Sequence, residues 1–129
     1  MSHFTSIKTE VRDLEALRSA CKELDLLLAP DIPCRGYAGQ GRQCEHTIGL
    51  KGPYDIAVDR STENDGTYAL TTDWWDGHVE REVGPGYGRL LQAYGIHKTF
   101  LEARKKGLRA TRRLQEDGSV LVTLEGGAL

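Results

Sequence analysis

The chain has 129 residues, with 17 basic and 19 acidic side chains and a formal net charge of −2. That length suits one domain, residues 1–129, with its own core. The near-neutral balance excludes attraction of the whole molecule to nucleic acid, and no apolar run approaches the roughly 20 residues that a membrane span requires. Three cysteines form an odd, sparse set, which fits a reducing cytoplasm better than a disulfide framework. "MSHFTSIKTEV" lacks the apolar core of a signal peptide, so a cytoplasmic protein is expected.

From Phe4 to Val11 the residues alternate in character, with Thr5, Ile7, Thr9 and Val11 on one side. This predicts a strand. Asp13 is placed to cap a following helix. Leu14, Leu17, Cys21, Leu24 and Leu28 then recur at spacings of three and four. That is one apolar helical stripe, which Pro30 and Pro33 would end.

"CRGYAGQGRQCEH" is glycine-rich and reads as a loop, and "HTIGLKG" as a short strand. Tyr54, Ile56 and Val58 alternate with Asp55, Ala57 and Asp59, which predicts a further strand. The turn "ENDG" leads into "TYALTTDWW", expected as a strand with Tyr68, Leu70, Thr72 and Trp74 on one face. Trp75 would share the other face with Thr71 and Asp73. "GPGYG" breaks the chain before a long helix from about Tyr87 to Lys106, stopped by Gly107. "LRATRRLQ" and "SVLVTLE" flank "EDG" and predict a closing hairpin, with Val120, Val122 and Leu124 inward. The order is β-α-β-β-β-α-β-β. It describes a two-layer α+β domain with two helices on a mostly antiparallel sheet. A ferredoxin-like arrangement with an added C-terminal hairpin is one form that fits.

"MSHFTSIKTEVRDLEAL", "RGYAGQ", "YDIAVD", "DGTYALTTDWW", "QAYGIHKTFLEARKKGL" and "QEDGSVLVTLE" occur in that order along nearly the whole chain. Together they resemble the domain of unknown function 1257 family, whose plastid members are called a hypothetical chloroplast reading frame. The resemblance implies a small, soluble, single-domain protein. Family genes tend to lie near an AAA-type ATPase, which implies an accessory role with such an ATPase as partner. The resemblance carries no reaction with it. Where the family usually has leucine-glycine at the end of the first helix, this chain has Leu24-Asp25. Cys34 and Cys44 do not look like family features.

The candidate sites each have a structural explanation beside the functional one. Cys34, Cys44 and His46 lack the close pairing of a zinc site and show no fourth ligand, so no metal or cofactor is expected. His3 beside a free N-terminal amine would suit Cu(II) or Ni(II), although a hydrogen bond at a sheet edge explains it as well. Tyr94 and His97 lie three apart on one helix face. They would either anchor the helix to the sheet or poise His97 as a general base. Arg35 and Arg42 border the glycine loop and would hold an anion, though the loop is no phosphate-binding motif. Seven basic residues against one acid between Lys98 and Arg113, including Arg112 and Arg113, mark either a solvated face or a nucleic-acid site. In "TTDWWDGHVERE" two adjacent strand residues cannot both enter the core. Trp74 is therefore expected inside. Trp75, with Asp76, His78 and Glu80, is expected at a protein-contact surface. An accessory or adaptor protein is the leading expectation. Nucleic-acid binding and a small-ligand binder or enzyme built on Tyr94, His97 and the glycine loop are the alternatives.

Overall fold

The computed structural model describes residues 4–36 and 41–126. The expectation for His3 and the centre of the glycine loop, residues 37–40, lie outside the described residues.

The first strand, β1 (Phe4–Lys8), leads through Asp13 into helix α1 (Leu14–Glu23). Asp13 caps the helix as expected: its Oδ1 accepts from the backbone N–H groups of Glu15 and Ala16 at 2.9 and 3.2 Å. The far end departs from the expected helix. Leu26 N–H donates to Cys21 C=O and Asp25 N–H to Lys22 C=O, which is a Schellman termination. Asp25 occupies the left-handed position at φ 61°, the place glycine takes at lowest cost. Leu28 thus belongs to β2 (Leu27–Pro30) instead of the helix, and the prolines are not what ends α1.

Short strands β3 (Cys34–Arg35) and β4 (Gly41–Arg42) follow, then β5 (His46–Gly49), β6 (Ile56–Arg60) and β7 (Tyr68–Asp73). The main sheet has five strands in the order β1-β7-β6-β5-β2, and every neighbouring pair is antiparallel. A meander returns from β2 to β7, and β1 closes beside the last strand. This order differs from the split β-α-β order of a ferredoxin-like domain, because α1 delivers the chain to a strand at the opposite edge.

Leu28, Ile48 and Ile56 align across three strands, and Val58 aligns with Leu70. These apolar rows form one buried core with Ala16, Leu17, Ala20 and Cys21 of α1. The expected α+β class is therefore the observed one. The opposite face of the sheet is also covered. Thr47, Ala57 and Thr71 are buried there, and β3 lies against β5 and β6.

After β7 comes a 3-10 turn (Trp75–Gly77), one turn of helix α2 (Glu80–Val83), and helix α3 (Gly88–Lys105). Gly107, at φ 72°, follows α3 as expected. Leu90, Ala93 and Tyr94 of α3 complete the core, and α3 packs on α1. The chain ends in a separate hairpin of β8 (Leu108–Leu114) and β9 (Val120–Gly126) resting on α3. The expected inward row is half-buried at Val120 and Val122 and 47% exposed at Leu124, which pairs with Ala110 near the start of β8.

Candidate protein-contact surface

Strand β7 stops at Asp73, so strand parity does not decide the two tryptophans. Trp74 has left extended geometry (φ −86°, ψ 8°). Its ring lies 4.7 Å from that of Tyr87, tilted by 57°. Trp74 is half-buried against the core, while Trp75 is 44% exposed. The expected division between the two rings holds, but the turn produces it.

This turn is firmly pinned. Buried Asp73 accepts from Trp75 N–H at 2.9 Å through Oδ1. Asp76 adopts φ 57°, and its C=O accepts from Arg81 Nη2 at 3.0 Å. His78 packs edge-on against Tyr54, with ring centres 5.5 Å apart, and its Nδ1 lies 3.3 Å from Arg81 Nη1. Glu80 is exposed at the start of α2. Below it, the Glu82 carboxylate accepts from the N–H groups of Lys51 and Gly52 at 2.8 and 3.0 Å. Trp75, Asp76, His78 and Glu80 therefore belong to one short, braced segment. His78 is partly spent on Tyr54 and Arg81.

Arg89 connects this segment to a second feature. Its Nη1 donates to the carbonyls of Arg81 and Glu82, and its side chain also lines a groove of about 390 Å³ between α3 and the hairpin. Leu24, Ala93, Ile96, Leu114 and Val120 supply the apolar lining, and Glu23, Arg89, Gln92 and Arg112 the polar one. Leu114 at its rim is 73% exposed. Of these residues the sequence marks only Arg112 as a candidate for binding, and Leu24 and Val120 only as apolar packing positions. The groove joins parts of the chain up to 97 positions apart, from Glu23 to Val120, so no local pattern announces it.

Tyr94 and His97 do not pair with each other. Tyr94 Oη accepts from the backbone N–H groups of Arg12 and Asp13 at 3.0 and 3.2 Å, at the start of α1. His97 Nε2 lies 2.8 Å from Glu23 Oε1 at the end of α1. Helix α3 thus lies across α1, and the two side chains secure opposite ends of it. Glu23 also receives Arg112 Nη1 at 2.8 Å, so one carboxylate ties α1, α3 and β8 together. Burial opposes its ionisation, but the hydrogen bonds from Arg112 and His97 outweigh that and hold the carboxyl below its ordinary range.

The arginines expected at an anion are engaged within the fold. Asp55, 3% exposed, accepts from the backbone N–H, Nε and Nη2 of Arg35 and from Leu50 N–H, at 2.8 to 3.1 Å. Arg35 Nη2 also reaches the carbonyls of Leu50 and Gly52. Arg42 pairs with Asp59 at 2.9 Å. In the basic stretch, Lys98 is held by Asp13 and Glu102, Lys105 by Glu102 and Arg112 by Glu23. Arg113 is exposed on β8. Cys34 is buried, and burial pushes its thiol up to about 12. Cys44 Sγ lies 3.0 Å from Thr47 Oγ1. Among the described residues no three His, Cys, Asp or Glu side chains are grouped so that they would hold a metal ion.

The architecture defines a small two-layer α+β protein with a hairpin packed on its long helix, and no described helix is long and apolar enough to cross a membrane. Residues 17–123 match the family described as "Protein of unknown function (DUF1257)", and the chain belongs to that family. It is similar to the uncharacterized protein ycf35 of Pyropia yezoensis, at 27% identity over 129 residues and 97% of each chain. No solved structure matches it.

Proposed function

We propose that this protein is a small accessory or adaptor protein that works through protein contacts. The observation that carries this reading is Trp75: a large aromatic side chain, 44% exposed, on a turn braced by Asp73 and Arg81. An exposed indole on a braced backbone needs little backbone ordering on binding, and large aromatic residues concentrate binding energy at interfaces. The mixed apolar and charged groove reached through Arg89 supports the same reading. An AAA-type ATPase, the class that the family resemblance implies, is the first partner to test.

The alternatives have less support. Three of the seven basic side chains between Lys98 and Arg113 already face carboxylates, which weakens a nucleic-acid site. Tyr94 and His97 are each spent on holding α1, which weakens an acid–base pair.

Affinity capture from native lysate tests the proposal, with wild type, Trp75→Ala and Leu114→Asp run in parallel. A partner retained by wild type and lost from a folded Trp75→Ala variant is the expected result. A partner held equally by both variants would place the contact elsewhere. Steeply salt-sensitive submicromolar binding to random nucleic acid would favour the basic segment instead.

A further inference from the structure

Strands β8 and β9 form a two-stranded sheet, with one-to-one register from Leu108–Gly126 to Leu114–Val120 and no bulge. A two-stranded hairpin is marginal in water without further pairing or packing. Among the described residues no strand pairs with either outer edge. The two edges differ in character. Strand β8 carries Arg109, Arg112 and Arg113, whereas β9 runs Val-Leu-Val-Thr-Leu before its first charge at Glu125. Natural sheets protect open edges with charge, proline or bulges, and β9 has none of these along five residues. Leu121 and Leu124 are 51% and 47% exposed.

The backbone says what would fit there. Gln115 N–H donates to Ser119 C=O at 2.8 Å and closes the hairpin. Antiparallel alternation then directs the groups of Leu121 and Thr123 inward to β8. It leaves the N–H and C=O groups of Val120, Val122 and Leu124 pointing outward.

We propose that β9 pairs with β9 of a second copy of this chain, antiparallel about a two-fold axis at Val122. The two hairpins then make one four-stranded sheet with an isologous interface. In that register Val122 meets Val122 of the second copy, Val120 meets Leu124, and Leu121 meets Thr123. The outward backbone groups are the ones that bond, and no like charges are opposed. Pairing β8 with β8 about Thr111 would instead set Arg109 against Arg113. One strand pair is a small interface, so the dimer forms with a Kd on the order of micromolar.

Sedimentation of the full chain from about 1 μM to about 1 mM reads this equilibrium. Two double variants at exposed positions test the register. Leu121→Glu with Thr123→Glu opposes glutamate to glutamate across the axis, while Arg113, the hairpin partner of position 121, offsets the charge within each copy. It should weaken the dimer by about tenfold or more. Leu121→Glu with Thr123→Lys opposes unlike charges and should retain it. Amide exchange supplies a second measurement: the Val122 and Leu124 N–H groups should become protected as concentration rises. A wild type that stays monomeric throughout would overturn the proposal. So would a dimer that both double variants weaken alike or that neither affects. Protection of Val122 only when a different protein is added would assign the edge to that partner's strand. None of these outcomes depends on Trp75, so the adaptor reading stands or falls separately.

Discussion

Asp55→Ala removes four hydrogen bonds at once, because the carboxylate accepts from Arg35 N–H, Nε and Nη2 and from Leu50 N–H. The cost divides unevenly. The Arg35 side chain is half exposed and keeps the Leu50 and Gly52 carbonyls, so water restores most of what its guanidinium loses. The backbone N–H of Leu50 has no such route, since Leu50 is buried, and the Arg35 N–H bond is itself part-buried. An orphaned buried donor costs about 1–3 kcal/mol, so the two together predict a loss of roughly 2–5 kcal/mol. Asp55→Asn keeps one acceptor oxygen and should lose about half as much. Urea unfolding of both variants measures this, with CD to show that each starts folded. An Asp55→Ala variant within about 1 kcal/mol of wild type would refute the claim that this carboxylate holds β3 to the loop before β6.

Trp74→Ala should destabilise by roughly 2–4 kcal/mol, less than a fully buried indole but including the lost ring contact with Tyr87. Trp75→Ala should cost under about 1 kcal/mol, and reversed melting losses would invert the assignment of core and surface. Asp25→Gly should stabilise by about 0.5–1 kcal/mol, because it relieves a left-handed aspartate and gives up only an exposed contact with Lys51. A destabilised variant in chemical denaturation would refute this. Glu23 has a lowered folded-state pKa. Its contribution is therefore present above the unfolded carboxyl value near 4.3 and is lost as pH falls below that through the folded value. A Glu23→Gln variant should differ most from wild type near neutral pH and converge with it in acid, and a constant difference would contradict the linkage. Burial pushes the Cys21 and Cys34 thiols up to about 12. A thiol reagent should therefore label Cys44 first in the native protein and the other two only on unfolding.

Local rules were enough for much of the architecture. Asp13 as a cap, the Leu14–Leu17–Cys21 stripe, Gly107 after the long helix and "EDG" within the last hairpin are all decided by nearest neighbours, through capping, periodicity and turn geometry. The ordered run of local words also carried the family. Those rules failed where two patterns coincided. Leu24 and Leu28 keep helical spacing, yet Asp25 turns left-handed and Leu28 enters β2, where it joins a buried row with Ile48 and Ile56. Trp74 keeps strand alternation on paper, yet Asp73 captures the next N–H and ends the strand. Beyond that, only tertiary structure could assign partners. Arg35 meets Asp55 across 20 residues, and Glu23 meets His97 and Arg112 across 74 and 89. A charge in sequence shows that a partner is needed. Which carboxylate answers it, and whether an arginine is left for a ligand, depends on the packing that first brings the helices and the hairpin together.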